Sequence, residues 1–171
     1  MEMKPLSLKT ICDVTQGRFF GTEEESAKCI TGVVRDNREV EPGNLFLCIQ
    51  GQRVDGHNFA NAAFAAGAAC CLAEKEIPEA AGPYILVCST LEALKALGKY
   101  YRSLFSIPVI DITGSVGKTS AKEMVAAVLS EKFNILKTPE NLNNEIGVPL
   151  TLLSLREEHE AAVVEMGISD F

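Results

Sequence analysis

The spacing of apolar residues predicts that strands and helices alternate through the first half of the chain. Apolar runs typical of strands lie at Cys29 to Val34, Leu45 to Ile49, Ala68 to Ala73 and Tyr84 to Cys88. Helical spacing is found after Ser7, a candidate N-cap, over residues 58–66, and from Thr90 to about Leu104. Because helices and strands alternate, these elements favour an α/β fold that contains β-α-β units.

The α/β pattern starts again after Pro108. It predicts strands at residues 109–113, 134–137 and 161–166, with helices at 119–131 and 146–155. The sequence has no internal repeat and no low-complexity linker, so the restart is the guide to a boundary, which can be placed near residue 89 or near 106. We predict an N-terminal domain at residues 1–88 and the first part of a parallel-sheet domain at 89–171. The strand at 161–166 is expected to lie near a free sheet edge.

The composition is that of an acidic globular protein. Of the 171 residues, 47 % are hydrophobic, which suffices for a packed core, and the formal net charge is −7. An acidic chain offers no general attraction for nucleic acid or an anionic membrane. No apolar stretch is long enough to span a bilayer, and Met1 to Thr10 lacks the features of a signal peptide. We therefore expect a cytoplasmic monomer with no nucleic-acid partner and no membrane insertion.

The cysteine pattern argues against a zinc site. Six cysteines occur without a C-x-x-C pair, and only two histidines accompany them. Several of these cysteines lie in apolar runs, where a thiol behaves as a small buried hydrophobic group. We expect reduced thiols that belong to the core.

A glycine-rich loop lies between the predicted strand at 109–113 and the helix that follows. It reads Gly114-Ser115-Val116-Gly117-Lys118-Thr119-Ser120, the short phosphate-loop pattern; the longer pattern expects glycine at the position of Ile112. Glycines let backbone N–H groups approach phosphate oxygens, and the helix start adds its own N–H groups and positive dipole. Lys118 adds a full charge for the β- and γ-phosphates, and the Thr119 hydroxyl suits Mg²⁺. We predict that this loop binds ATP with Mg²⁺.

Three other interpretations of the loop remain open at this point. The loop could be an ordinary glycine-rich turn from strand to helix that carries a surface lysine. It could also belong to another phosphate-loop enzyme, such as a small kinase or a GTPase, although the Asn-Lys-x-Asp motif of GTPases is absent from the sequence. A non-catalytic module that senses a nucleotide is the third possibility.

Five segments together resemble the Mur ligases, the enzymes that build the peptidoglycan peptide. They are the phosphate loop, Asn141-Leu142-Asn143-Asn144-Glu145-Ile146-Gly147-Val148-Pro149, Val163-Val164-Glu165-Met166-Gly167, and the N-terminal stretches Asp36 to Phe46 and Gly51 to His57. The resemblance spans nearly the whole chain and is strongest to members that use D-alanyl-D-alanine. Two positions differ from the usual pattern. Asn37 stands where serine is usual, and Val116 stands where many relatives carry asparagine or serine.

The resemblance implies an ATP-dependent ligase that adds D-alanyl-D-alanine to UDP-N-acetylmuramoyl-tripeptide through an acyl phosphate. It implies that Lys118 and Mg²⁺ stabilise the transferring phosphoryl group, that Thr119 and Glu165 ligate the metal, and that Asn143 and Asn144 lie at the nucleotide. Each of these residues has a simpler alternative role. Glu165 could be a surface carboxylate at a strand end, and the two asparagines could cap a helix.

For the N-terminal domain, the resemblance implies binding of the UDP part of the nucleotide sugar by Asn37, Arg38, Gly51, Asp55 and His57. Turn and surface charges, with His57 as the cap of the helix at 58–66, are the alternative. Mur ligases carry further metal-site residues, a carbamylated lysine and a closing C-terminal domain beyond the position of Phe171. We therefore expect the 171 residues alone to be inactive in ligation.

Overall fold

The computed structural model describes residues 3–51, 54–140 and 142–167. Gln52 and Arg53 of the Gly51 to His57 segment, and Asn141 of the asparagine-rich segment, lie outside the described residues. The chain divides by internal packing into two compact units, an N-terminal unit at Met3–Leu97 and a C-terminal unit from Gly98 onward. This division falls inside the helix Thr90–Ser103, whereas the boundary predicted from the sequence lies before that helix. Within the described residues, no helix combines the length and hydropathy that a bilayer crossing requires.

The N-terminal unit is built on a five-stranded sheet. In chain order its elements are β1 (Leu6–Ser7), α1 (Leu8–Thr15), β2 (Arg18–Phe20), α2 (Glu23–Ser26), β3 (Cys29–Ile30), β4 (Gly32–Val34), β5 (Asn44–Leu47), α3 (Ala60–Ala65), β6 (Cys70–Ala73) and β7 (Tyr84–Leu86). The strand order is β2-β7-β6-β5-β4, in which β2 runs antiparallel and the other four are parallel. Two 3₁₀ helices, Asn37–Glu39 and Gly56–Phe59, follow β4 and β5, and α4 (Thr90–Ser103) follows β7.

The strands and helices predicted for this unit are found near their predicted positions, except that one predicted strand is divided into two. The single strand predicted at 29–34 is two strands, because β3 pairs with β1 whereas β4 pairs with β5 in the main sheet. The sequence analysis did not predict β1, β2 or α2. The four-residue helix α2 has a local signal, since the Thr22 hydroxyl accepts from the Glu25 N–H while the Glu25 carboxylate accepts from the Thr22 N–H.

The cysteines divide between core and surface. Cys48, Cys70 and Cys71 are fully buried, and burial strongly raises the pKa of the Cys70 thiol. None of the six forms a disulfide in the described residues. The prediction that they belong to the core is wrong for Cys29 and Cys88, which are exposed because they sit at or just beyond the ends of short strands.

The C-terminal unit is a parallel sheet with helices between its strands. After α4 it contains β8 (Val109–Ile112), α5 (Lys118–Ser130), β9 (Ile135–Lys137), α6 (Gly147–Leu153) and β10 (Ala161–Glu165). The strand order is β8-β10-β9, and all five residues of β10 are buried. The strand does not itself form the free edge expected near it, because the last strand inserts between the two earlier ones. Its register places Glu165 beside Ile112, the residue that precedes the glycine-rich loop.

Candidate nucleotide and metal site

The glycine-rich loop connects β8 to α5 with two glycines in conformations that side chains disfavour. Gly114 has a φ of 148° and Gly117 a φ of 76°. A Cβ on Gly117 would meet no atom within 4 Å, and one on Gly114 would meet only the Val116 carbonyl oxygen at 3.8 Å. The backbone torsion, rather than crowding, therefore requires glycine at these positions.

The loop ends in a helix start that can bind an anion. Gly117, the N-cap of α5, has no side chain to accept from the N–H groups of the first turn, so these groups and the helix dipole are available to a phosphate. The Lys118 ammonium donates to the Gly114 carbonyl oxygen at 2.8 Å and so folds back over the loop. Val116 is 88 % exposed. Different side chains can therefore occupy position 116 while the backbone at this position still shapes the loop.

Glu165 is a buried carboxylate that faces the start of α5. It is 1 % exposed, so the alternative of a surface carboxylate is wrong. Its Oε1 accepts from the Thr119 hydroxyl at 3.1 Å and from the Asn143 side-chain amide at 2.8 Å. Its backbone N–H donates to the Thr138 hydroxyl oxygen at 2.9 Å, which fixes the end of β10 against the segment after β9.

Lys122 completes this cluster and was missed by the sequence analysis. Its side chain is fully buried, and its ammonium lies 3.3 Å from Glu165 Oε2 and 2.8 Å from the Glu140 carbonyl oxygen. The overlooked signal was helical spacing. Lys122 and Ala126 are the two buried residues of α5, one turn apart, so a lysine occupies a position where the helix turns inward.

The partners of Glu165 keep it ionised in spite of its burial. Desolvation raises the pKa of this carboxyl, but hydrogen bonds from Asn143 and Thr119 and the nearby Lys122 ammonium lower it by more, so the net pKa lies below the ordinary value. Among the described residues, Glu165 Oε2 is also the buried side-chain oxygen that lacks a hydrogen-bond partner. The carboxylate therefore retains an acceptor site.

The two predicted asparagines have different roles. The Asn143 side-chain amide donates to Glu165 Oε1, as described. The Asn143 backbone carbonyl oxygen accepts from the Gly167 N–H at 2.6 Å. The side-chain oxygen of Asn144 accepts from the N–H groups of Ile146 and Gly147 at the start of α6. Asn144 thus binds backbone N–H groups at the start of α6, whereas Asn143 belongs to the carboxylate cluster.

The oxygens of this cluster fit a small hard cation. Thr119 Oγ1 and Glu165 Oε1 lie 3.1 Å apart. Two adjacent octahedral ligands at the Mg²⁺ distance of about 2.1 Å would be separated by about 3 Å. In the described ranges no group of three or more histidine, cysteine or acidic side chains forms a site complete in itself. A hydroxyl and one carboxylate, supplemented by phosphate oxygens and water, are the ligand set that Mg²⁺ takes at nucleotides.

The candidate UDP residues of the N-terminal unit follow β4 and β5, which are adjacent parallel strands. Their carboxyl ends therefore bring the 3₁₀ helix Asn37–Glu39 and the segment after Gly51 to the same edge of the sheet, where α/β proteins bind ligands. Asp36 caps that 3₁₀ helix and pairs with Arg38 through two nitrogens, an arrangement that lowers the pKa of Asp36 to about 2. The Arg38 side chain is 83 % exposed.

His57 holds the segment that it belongs to. Its Nδ1 lies 2.6 Å from Asp55 Oδ1, and its Nε2 accepts from the Glu74 N–H at 2.9 Å. Both ring nitrogens are thus engaged, and the ring is buried. Asp55, rather than His57, caps the helix that follows, and its contacts with Lys75 and His57 lower its pKa. The Gly51 N–H is bonded to the Val54 carbonyl oxygen.

Two family models match this chain. Residues 29–102 match the Mur ligase family, catalytic domain, and residues 112–171 match the Mur ligase middle domain. The two matched ranges cover most of the chain and fall on either side of β8's start. The phosphate loop, Lys122 and Glu165 all lie within the second range.

Individual relatives agree with these models. The UDP-N-acetylmuramoyl-tripeptide–D-alanyl-D-alanine ligase of Bacillus subtilis is 41 % identical over 165 residues, which are 95 % of this chain and 36 % of the relative. A crystal structure of MurF from Acinetobacter baumannii superposes with a TM-score of 0.87 at 36 % identity, over 98 % of this chain and 37 % of that one. MurF ligase from Thermotoga maritima in complex with ADP gives a TM-score of 0.74 at 36 % identity, over 81 % and 32 %. The chain thus spans about a third of the length of its relatives.

Proposed function

Because the chain belongs to the Mur ligase family, we propose that the whole protein attaches D-alanyl-D-alanine to UDP-N-acetylmuramoyl-tripeptide at the expense of ATP. The relatives that match over nearly all of the chain are named for this ligation. The observation that carries the proposal is the placement of Glu165, whose Oε1 lies 3.1 Å from the hydroxyl of the phosphate-loop residue Thr119. A carboxylate beside the loop hydroxyl is expected where the bound nucleotide carries Mg²⁺ for phosphoryl transfer.

The residues of the chain divide the work on the nucleotide. Backbone N–H groups of the loop and of the first turn of α5 bind phosphate oxygens, and Lys118 turns from the Gly114 carbonyl oxygen to the β- and γ-phosphates. Thr119 and Glu165 would hold Mg²⁺, which neutralises phosphate charge during phosphoryl transfer. Asn143 holds Oε1 of Glu165 towards Thr119 through its amide. The ADP complex of the Thermotoga maritima relative supports nucleotide binding.

The phosphoryl group is transferred to the tripeptide carboxylate, and the amine of D-alanyl-D-alanine then displaces phosphate from the acyl phosphate. In this proposal, the described residues supply binding and electrostatic stabilisation for the first step. Since ATP and UDP-linked precursors are made inside cells, the same proposal favours a cytoplasmic location and Mg²⁺ as the physiological metal.

The test is a ligation assay with protein of the length found in the relatives. UDP-N-acetylmuramoyl-tripeptide, D-alanyl-D-alanine and Mg-ATP are expected to yield phosphate and a pentapeptide product identified by its mass. Omission of D-alanyl-D-alanine should abolish that product. ATP hydrolysis without any new amide, or nucleotide binding without turnover, would favour the alternatives of another phosphate-loop NTPase or a sensor module.

The UDP part of the substrate is expected to bind at the carboxyl ends of β4 and β5. Titration of the amide NMR spectrum with UDP should shift the resonances of Asn37, Arg38 and the residues from Gly51 to His57 by more than those of the C-terminal unit. Arg38→Ala should weaken UDP binding, because its guanidinium, although paired with Asp36, is an exposed cation that can also contact a diphosphate. Shifts confined to the C-terminal unit would show that this assignment is wrong.

A further inference from the structure

Lys122 is a buried cation that the proposed reaction does not use directly. It lies one helical turn after Lys118 and Thr119 on α5, on the side of the helix that faces Glu165. We propose that Lys122 acts as an internal counter-ion of Glu165 that suppresses binding of a free divalent cation, so that the cation enters this site with the nucleotide. The inference rests on the proposed metal role of Thr119 and Glu165.

The burial of Lys122 calls for an explanation beyond packing. An ammonium without water is costly, and an apolar side chain of similar length would fill the same space without that cost. One short hydrogen bond, to the Glu140 carbonyl oxygen at 2.8 Å, leaves two of its three protons to longer ion contacts. These contacts are with Glu165 Oε2 at 3.3 Å and Glu123 Oε1 at 3.6 Å. Of these two carboxylates, only Glu165 is fully buried.

The two oxygens of Glu165 are thereby divided between two tasks. Oε1 accepts from Thr119 and Asn143, whereas Oε2 faces the ammonium. Two hydrogen bonds at Oε1 and an ion contact at Oε2 restrain the carboxylate, and they keep Oε1 next to the Thr119 hydroxyl. Lys122 is therefore a positioning residue, since it acts on a cation through Glu165.

The local charges oppose a free divalent cation. Lys122 neutralises Glu165, and Glu123 is already paired with Lys137 at 2.5 Å. Lys118 adds a further positive charge at the loop. These five side chains together carry one net positive charge, which opposes a lone divalent ion, whereas nucleotide phosphates supply negative charge together with further ligands.

Binding of Mn²⁺, followed by the electron paramagnetic resonance signal of the free ion, tests this inference on the protein without nucleotide. Lys122→Gln, whose amide can still donate to Glu140, and Lys122→Met are expected to bind Mn²⁺ at least about tenfold more tightly than the wild type. Lys122→Arg, which retains the charge, should resemble the wild type. Unchanged or weaker Mn²⁺ binding in the neutral variants would overturn the inference, because a purely structural lysine gives that result.

A second set of measurements separates this inference from the proposed function. Glu165→Gln should weaken Mn²⁺ binding in the presence of ADP; if it does not, the metal role of Glu165 is wrong and the inference falls with it. If both neutral Lys122 variants fail to fold, ¹³Cε-labelled lysine in the wild type gives the answer. A shift of the Lys122 resonance with Mg²⁺ and ADP together, but not with Mg²⁺ alone, supports the inference, and an equal shift with Mg²⁺ alone overturns it.

Discussion

Replacement of Lys118 by alanine is expected to weaken ATP and ADP binding by at least about a hundredfold. The ammonium is the one full positive charge that the loop sequence itself carries, and charge-assisted hydrogen bonds to phosphate contribute about 1.5–3 kcal/mol each. A hundredfold loss corresponds to about 2.8 kcal/mol, so one or two such bonds account for it. The loop backbone should persist, because its shape depends on Gly114 and Gly117 rather than on the lysine side chain.

Calorimetric titration with Mg-ADP measures this loss. Lys132→Ala is the matched control, since it removes the same charge from an exposed lysine just beyond the C-terminal end of α5. The control should bind as the wild type does. Equal affinity in wild type and Lys118→Ala would show that the loop does not bind the phosphates.

Replacement of Glu165 by alanine is expected to lower the free energy of unfolding of the C-terminal unit by about 3–5 kcal/mol. The substitution leaves the Lys122 ammonium buried with the Glu140 carbonyl oxygen as its short-range acceptor. It also removes the acceptor of the Thr119 hydroxyl and of the Asn143 amide. Each orphaned donor adds a desolvation cost.

Hydrogen exchange at the amides of β10 reports the stability of this unit separately from the N-terminal one. Glu165→Ala combined with Lys122→Met should recover much of the loss, because the double variant contains neither buried charge. Glu123→Ala, which removes the exposed carboxylate near Lys122, should have a much smaller effect. If Glu165→Ala were no more destabilising than Glu123→Ala, the buried ion pair would not hold the unit together.

The sequence analysis predicted features that adjacent residues form, but it missed contacts that depend on which strands pair in the sheet. The phosphate loop was identified because seven adjacent residues carry its chemistry. The contact of Lys122 with Glu165 joins α5 to β10, and it forms because β10 inserts between β8 and β9. Apolar periodicity marks a strand but does not say which neighbours it takes, so neither the central position of β10 nor this ion pair could be read from it.

The sequence analysis also missed the shortest strands, for a related reason. β1 and β2 have two and three residues, too few for an alternating pattern to be recognised. His57 shows a further limit, because the resemblance names it as a candidate for UDP binding but does not identify the partners of its ring. Its ring nitrogens bind Asp55 and the Glu74 backbone, and Glu74 lies seventeen positions further along the chain. Such a partner becomes visible only when β5 and β6 are placed side by side.

The strand order β8-β10-β9 determines when the sheet of the C-terminal unit can form during synthesis on the ribosome. Within the described residues, β8 and β9 each pair with β10 and not with each other. At a translation rate of about 5–20 residues per second, roughly three to ten seconds separate the completion of β8 from that of β10. Throughout that interval the phosphate loop lacks the strand that carries Glu165. The arrangement of Glu165 beside Thr119 therefore exists only after the last residue of β10 has been synthesised, and a ligand that needs this arrangement can favour folding only from then on.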